Sequence, residues 1–275
     1  MRVDAHQHYW KVARGDYDWM AAPGAAPMRR DYLPAELEPL LSRHGFDASV
    51  VVQAASTTAE TDYLLELAQT HGTICGVVGW LDLEAPDFRE TLHRYAASPK
   101  FLGIRPMLQD LPDDRYVLRP QVMQNLRLLA EAGRALDLLI TPRHLPHAVQ
   151  ALRELSPLRV VVDHCAKPNL REGSLSGWRI GLERLAELPN VVCKLSGLVT
   201  EAARADRDAL APAVEHALAT FGQDRLLFGS DWPVCTLAAS YDRVVELVHE
   251  TLGARLTSDF ERKLFGENAR GFYGL

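Results

Sequence analysis

Val160-Val161-Val162-Asp163-His164 is the stretch on which the fold turns: three valines in a row, then an acid and an imidazole with no turn residue between them. A strand buried on both faces of a parallel sheet reads as a continuous apolar run, whereas a half-exposed strand alternates. The polar pair therefore stands at the strand's tip. Asp4-Ala5-His6-Gln7-His8 near the start and Gly229-Ser230-Asp231-Trp232-Pro233 near the end repeat the arrangement. Residues this distant in sequence converge if the strand ends share one face.

Working outward, eight β-type runs can be picked out: Arg2 to Ala5, Ser49 to Gln53, Ile74 to Leu81, Phe101 to Pro106, Leu136 to Ile140, Val160 to Asp163, Val191 to Leu195 and Leu226 to Ser230. Helical periodicity fills the spaces at Glu60 to His71, Pro86 to Ser98, Pro120 to Ala132, Pro146 to Leu155, Trp178 to Leu188, Asp206 to Phe221 and Tyr241 to Leu252. Three of these open with proline, whose missing N–H costs nothing there, and Gly72 is a plausible stop for the first. The β-α repeat predicts an α/β fold, a (β/α)8 barrel (TIM barrel), with a doubly wound open sheet as the alternative. His6, Arg105, His164, Ser196 and Asp231 all fall at or just beyond the C-terminal end of a run. A barrel gathers those ends on the face where active sites are built, but an open sheet would hold the outer ones apart. No composition break divides residues 1–275, so one domain is expected. Residues 9–30, rich in Gly, Pro and Ala and carrying Trp10, Tyr17, Trp19 and Met20, form a long connection that reads as a cover over the active-site face.

The net charge of −6 and the lack of a basic run argue against a nucleic-acid partner. Four cysteines without a CxxC pair read as buried free thiols in a reducing compartment. Met1 leads directly into Arg2-Val3-Asp4, leaving no room for a signal h-region, and no apolar stretch would span a bilayer. A cytoplasmic protein, monomeric or homodimeric, is expected.

In a strand, residues two apart share a side, so His6 and His8 can present two imidazoles to one point, as a metal or a carbonyl oxygen requires. Taken with Asp163-His164 and Asp231 at later tips, the pair marks an active site.

Met1 to His8, Val51-Val52-Gln53-Ala54, Gly76 to Leu83, Gly103-Ile104-Arg105-Pro106, Val162 to Pro168, Cys193 to Gly197, Phe228 to Pro233 and Asn268-Ala269-Arg270-Gly271-Phe272-Tyr273 resemble the amidohydrolase 2 family. Within it they resemble the sugar-lactone hydrolases, the L-fuconolactonase and L-rhamnonolactonase branch. The resemblance runs nearly end to end. It implies a barrel that hydrolyses a sugar lactone to the aldonic acid in sugar breakdown. His6 and His8 match the first-strand histidines, His164 the sixth-strand histidine and Asp231 the last-strand aspartate. Binuclear members carry a carbamylated lysine on the fourth strand, and Gly103 to Pro106 has none, so no two-metal site is expected.

A lactone has a better leaving group than an amide, so one base and a few donors suffice. Asp231 is the expected base for water, with His6, His8 and His164 polarising the carbonyl directly or through one divalent ion. A single Zn²⁺ at His6, His8 and Asp231 and a metal-free site are both coherent. Asp231 has a competing role as a helix cap. For substrate binding the candidates are Arg105, Gln53, Lys167, Trp232, Trp80 and Trp19. Gln53 can instead cap backbone, Lys167 can be a solvated surface residue, and the tryptophans can be core. Lys194 and Ser196 read better as binding groups than as nucleophiles. His144 is too far past its strand to be a ligand, and His44, His71, His93, His147, His216 and His249 fall in helical patterns or at their ends. A metal-dependent decarboxylase of an unsaturated acid is the alternative activity, and a catalytically silent binding barrel the alternative to an enzyme.

Overall fold

The computed structural model describes residues 1–171 and 174–275. One sheet of eight parallel strands runs in chain order, β1 Val3–Gln7, β2 Ala48–Val52, β3 Ile74–Gly79, β4 Phe101–Ile104, β5 Ala135–Leu138, β6 Val160–Val162, β7 Val191–Leu195 and β8 Leu226–Phe228. Each predicted run coincides with a strand. The ends differ where the chain leaves the ladder early to aim a tip residue: Pro106, Asp163 and Ser230 lie beyond the last paired positions. An order without crossover rules out the doubly wound sheet. The first and last strands meet through main-chain bonds, His8 N–H to the Trp232 carbonyl at 2.7 Å and Asp231 N–H to the His6 carbonyl at 2.8 Å. This is a closed (β/α)8 barrel in a single domain.

The strands' apolar residues divide into two sets. Val3, Ala5, Val50, Val52, Val78, Leu102, Ala135, Val161 and Leu227 form an inner cluster drawn from around the barrel. Val51, Val77, Leu136, Val160, Val162 and Cys193 belong to the larger cluster shared with the helices. Burying each such side chain contributes about 1.5–3 kcal/mol before chain entropy is charged against it.

All seven predicted helical segments are helical. The first spans Thr58–Thr70 and ends at His71 in extended backbone, so Gly72 is not the stop. The helix Pro34–Arg43 after β1 was not foreseen, because Pro39 and the Pro- and Gly-rich approach conceal its period. Beneath the barrel, the C-terminal helix Asn268–Tyr273 sends Ala269, Phe272 and Tyr273 into the inner cluster. Asn268 Nδ2 pins it by donating to the carbonyls of Gln223 and Leu226, both at 2.8 Å. A Cβ on Gly266 would lie 2.4 Å from the Met1 carbonyl oxygen, so glycine lets this floor meet the start of β1.

The long connection after β1 folds into 3-10 turns at Val12–Arg14, Asp18–Ala21 and Pro23–Met28. Trp10, Tyr17 and Met20 are buried in its packing. Among the described residues no helix is long and apolar enough to cross a membrane, and the four cysteines are free thiols, with Cys75 half-buried and the others buried.

Candidate active site

A cavity of about 350 Å³ opens at the C-terminal ends of the strands, on the face away from the C-terminal helix. His8, Arg105, His164, Lys167 and Asp231 line it together with Trp19 from the 9–30 segment. Asp231 is central. Its Oδ1 lies 3.2 Å from His8 Nε2, 3.7 Å from His6 Nε2 and 3.9 Å from His164 Nε2. Burial opposes ionisation of Asp231, but His164, His8 and His6 in their protonated forms outweigh it and hold the carboxyl below the ordinary carboxylate range. Burial also drives the imidazoles toward their neutral forms: His164 falls to about 4, with His8 lowered and His6 lowered further.

Neutral rings have one N–H each, and the surroundings decide where it lies. His8 Nδ1 sits 2.7 Å from the Val52 carbonyl, which can only accept, so the ring proton is on Nδ1. His8 Nε2 therefore turns a lone pair toward Asp231. His164 Nδ1 is 2.8 Å from Ser196 Oγ, a hydroxyl that can donate or accept, and with the hydroxyl donating, Nε2–H faces the cavity. At His6 two donor-only cations compete, Lys194 Nζ 3.2 Å from Nδ1 and Arg105 Nη1 3.3 Å from Nε2, while Asp163 Oδ1 lies 3.3 Å from Nδ1. A neutral ring accepts from only one of them.

Unusual backbone sets this geometry. His164, Cys165, Ala166 and Lys167 all have left-handed φ, from 50° to 58°, and so does Asp231 at 58°. For non-glycine residues each such conformation costs about 1–3 kcal/mol and persists only where packing enforces it. The turn brings both His164 and Lys167 to the cavity. A Cβ on Gly197 would stand 2.5 Å from His164 Nδ1, and one on Gly229 2.5 Å from His6 Cβ, so both glycines make room for a histidine. The β1 ladder shifts register between Asp4 and Gln7, which lets His6 and His8 reach the same carboxylate.

The predicted residues divide. His6, His8, His164 and Asp231 converge, although His6 is sealed beneath the cavity floor. Arg105 lies at the cavity, its Nη2 donating to the Gln53 carbonyl. Lys167 reaches the wall, with Nζ 3.6 Å from Glu201, and Trp19 forms part of the wall with Nε1–H on the Ala54 carbonyl at 2.9 Å. Gln53 does not reach the cavity: it is buried and donates to the Arg105 carbonyl at 2.6 Å, capping backbone. Trp232 does not either. It packs against Tyr9 and Tyr32, with ring centroids 6.0 and 5.4 Å away, because a flat apolar side chain beside the seam fills core. Trp80 lines a separate outer cavity with Asp82 and Phe88. Asp231 caps no turn, since the following Val234–Leu237 turn has no side-chain cap. Lys194 and Ser196 are buried outside the cavity lining and contact the histidines, Lys194 at His6 and Ser196 at His164. His144 stays away, bonded to Thr141.

Sequence reasoning missed Asp137 and the role of Asp163. Both are fully buried beside Lys194. A charged residue in the otherwise apolar Ala135-Leu136-Asp137-Leu138 was the available signal. Met107, Leu139, Val234 and Leu237 also line the cavity and have no sequence signature.

The ligand atoms of His6, His8 and Asp231 lie within 4.8 Å of one another. Tetrahedral zinc with ligands at about 2.0–2.2 Å needs such spacings. The facing lone pairs of His8 Nε2 and Asp231 Oδ1 are an arrangement that a cation relieves. The donor set therefore fits one divalent ion, with His6 contributing Nε2 when its proton is on Nδ1.

A family model described as "Amidohydrolase" matches residues 3–275. The chain is 41% identical over 278 residues to the L-fucono-1,5-lactonase of Burkholderia ambifaria, covering 100% of this chain and 96% of that protein. It is 40% identical over 287 residues to the L-fucono-1,5-lactonase of Burkholderia multivorans, with the same coverage. A crystal structure of a zinc-bound amidohydrolase from Burkholderia multivorans superposes with a TM-score of 0.95 at 40% identity, over 100% of this chain and 99% of that one.

Proposed function

Because the chain belongs to the amidohydrolase family, we propose that it hydrolyses a sugar lactone of the L-fucono-1,5-lactone type to the open aldonic acid. The observation that carries this reading is the full-length likeness to two enzymes bearing that name. The site's chemistry agrees. Asp231, ionised at the cavity floor, takes a proton from water as the water oxygen attacks the lactone carbonyl. The carbonyl oxygen becomes an oxyanion, and His164 Nε2–H and the Arg105 guanidinium are the donors available to it. The ring C–O bond then breaks. Its alkoxide recovers the proton from Asp231, and the new carboxylic acid ionises at neutral pH.

A strongly acidic carboxyl is a weak base, which an electrophilic ester-type carbonyl tolerates better than an amide does. In a zinc-bound form, with the His6 proton on Nδ1, an ion held by His6, His8 and Asp231 would supply Lewis-acid polarisation of the carbonyl. Arg105 and Lys167 supply donors for sugar hydroxyls or the product carboxylate, and Trp19 with the 9–30 segment shields the cavity from bulk water. On this reading the enzyme serves sugar breakdown in the cytosol, where free thiols persist.

The test is a pH-indicator assay on L-fucono-, L-rhamnono- and L-galactonolactones with and without added zinc. Acid release from the L-fucono-1,5-lactone is expected. No acid from any sugar lactone, or proton uptake with an unsaturated acid, would remove the lactonase reading.

A further inference from the structure

Tyr273 ends the Asn268-to-Tyr273 stretch, and lactone opening has no direct use for it. Phe272 beside it supplies apolar packing to the floor. The Tyr273 hydroxyl instead runs into the barrel and donates to Asp137, 2.9 Å from Oδ1 and 2.8 Å from Oδ2. Asp137 in turn pairs with Lys194 Nζ, whose other neighbours are Asp163 Oδ1 at 3.1 Å and His6 Nδ1 at 3.2 Å. Lys194, Asp137, Asp163 and His6 are all fully buried. An axial chain thus links the last helix to a histidine under the cavity.

Lysine has three N–H donors; Asp137 and His6 Nδ1 accept from it with hydrogen-bond geometry, while Asp163 Oδ1 stands beside it as a counter-charge only. If His6 Nδ1 carried the ring proton for Asp163, one ammonium N–H would be sealed away unpaired, a costly outcome for a buried charge. Arg105, the rival donor at Nε2, lines the cavity and can turn to water or substrate. The sealed donor therefore has the stronger claim on the ring. We infer that in the metal-free site Lys194 is a positioning residue that holds His6 as the Nε2–H tautomer, and that Asp137 and Tyr273 keep Lys194 in register from the barrel floor.

This inference deepens the lactonase reading, and its first test is independent of it. In ¹⁵N-histidine-labelled, metal-free full-length protein, the His6 ring signals are identified by their loss in His6→Asn. Wild type is expected to carry the proton on Nε2, Lys194→Met to move it to Nδ1, and Tyr273→Phe to give a mixture. In the kinetic arm, Lys194→Met is expected to lower kcat by about 10–100-fold with KM nearly unchanged, the range for an outer partner of an active-site group. Tyr273→Phe should fall between. Where Lys194→Met does not fold, Tyr273→Phe and Asp137→Asn carry both measurements. An Nδ1–H tautomer in wild type, or an unmoved tautomer in the folded variants, overturns the inference. If Tyr273→Phe lowers the melting temperature but leaves tautomer and kcat alone, its hydroxyl is structural only and that link is overturned. If wild type opens no lactone, the lactonase reading fails while the spectroscopic arm still decides this one.

Discussion

Asp231 is where a one-atom change is most informative. Asp231→Asn keeps the shape and can still face His8 Nε2, now by donating an amide N–H to its lone pair, but the variant cannot take a proton from water. A loss of kcat of about 10²–10⁴-fold with a melting temperature close to wild type is expected, the range for removing a general base. Full activity in this variant would exclude Asp231 as the base. Residues of this kind were legible in the sequence, because a polar side chain closing an apolar run has no packing reason to be there. Trp80 and Trp232 were not legible: an indole in a wall and an indole in a core look alike without coordinates. Lys194 and Asp137 fell between, each visible as a charge in an apolar strand, with the pairing hidden because they lie on different strands.

At the scale of elements, the 9–30 segment illustrates how one connection splits its duties. Trp10 is fully buried and ties to Tyr32 by reciprocal main-chain bonds, both at 3.0 Å, whereas Trp19 is half-buried and turned to the cavity. Trp19→Ala is expected to raise KM by up to about tenfold, the equivalent of about 1.4 kcal/mol of lost contact, with a smaller change in kcat. Steady-state kinetics on the lactone substrate would check this, and a fall in kcat alone would assign Trp19 to the chemistry. Strand identity was readable because β-branched runs bounded by helical periods admit one assignment. Strand ends were less so, since leaving the ladder depends on where the partner strand stops. The left-handed turn at His164 to Lys167 had no local signal, as none of its residues is glycine.

The whole molecule carries buried acids and buried histidines whose pH effects oppose one another. Burial pushes Glu60 up to about 7 from 4.5, against backbone N–H bonds from Ala55 and Ala54. The folded chain thus holds that proton more tightly than the unfolded chain does. Its stabilising contribution is full below about 4.5 and is lost as pH rises through about 7. Asp4, raised by burial to about 6, acts in the same direction. His164 acts oppositely: its contribution is present above about 6.5 and is lost as pH falls toward about 4. In Glu60→Gln, which keeps an oxygen for the two N–H groups, the melting temperature relative to wild type is expected to rise between about pH 4.5 and pH 8. Melting curves across that range would check it, and a constant difference would mean that Glu60 titrates normally.

The barrel's joint has a consequence for how such proteins diversify. His6, His8, Asp231 and Trp232 fasten the first strand to the last through main-chain N–H and C=O groups, and only proline lacks the needed N–H. Side chains at 6, 8 and 231 are therefore free of the closure itself. A lineage can exchange a histidine or the aspartate for other chemistry one step at a time while the cylinder stays shut, so new reactions can be explored on this scaffold without rebuilding it.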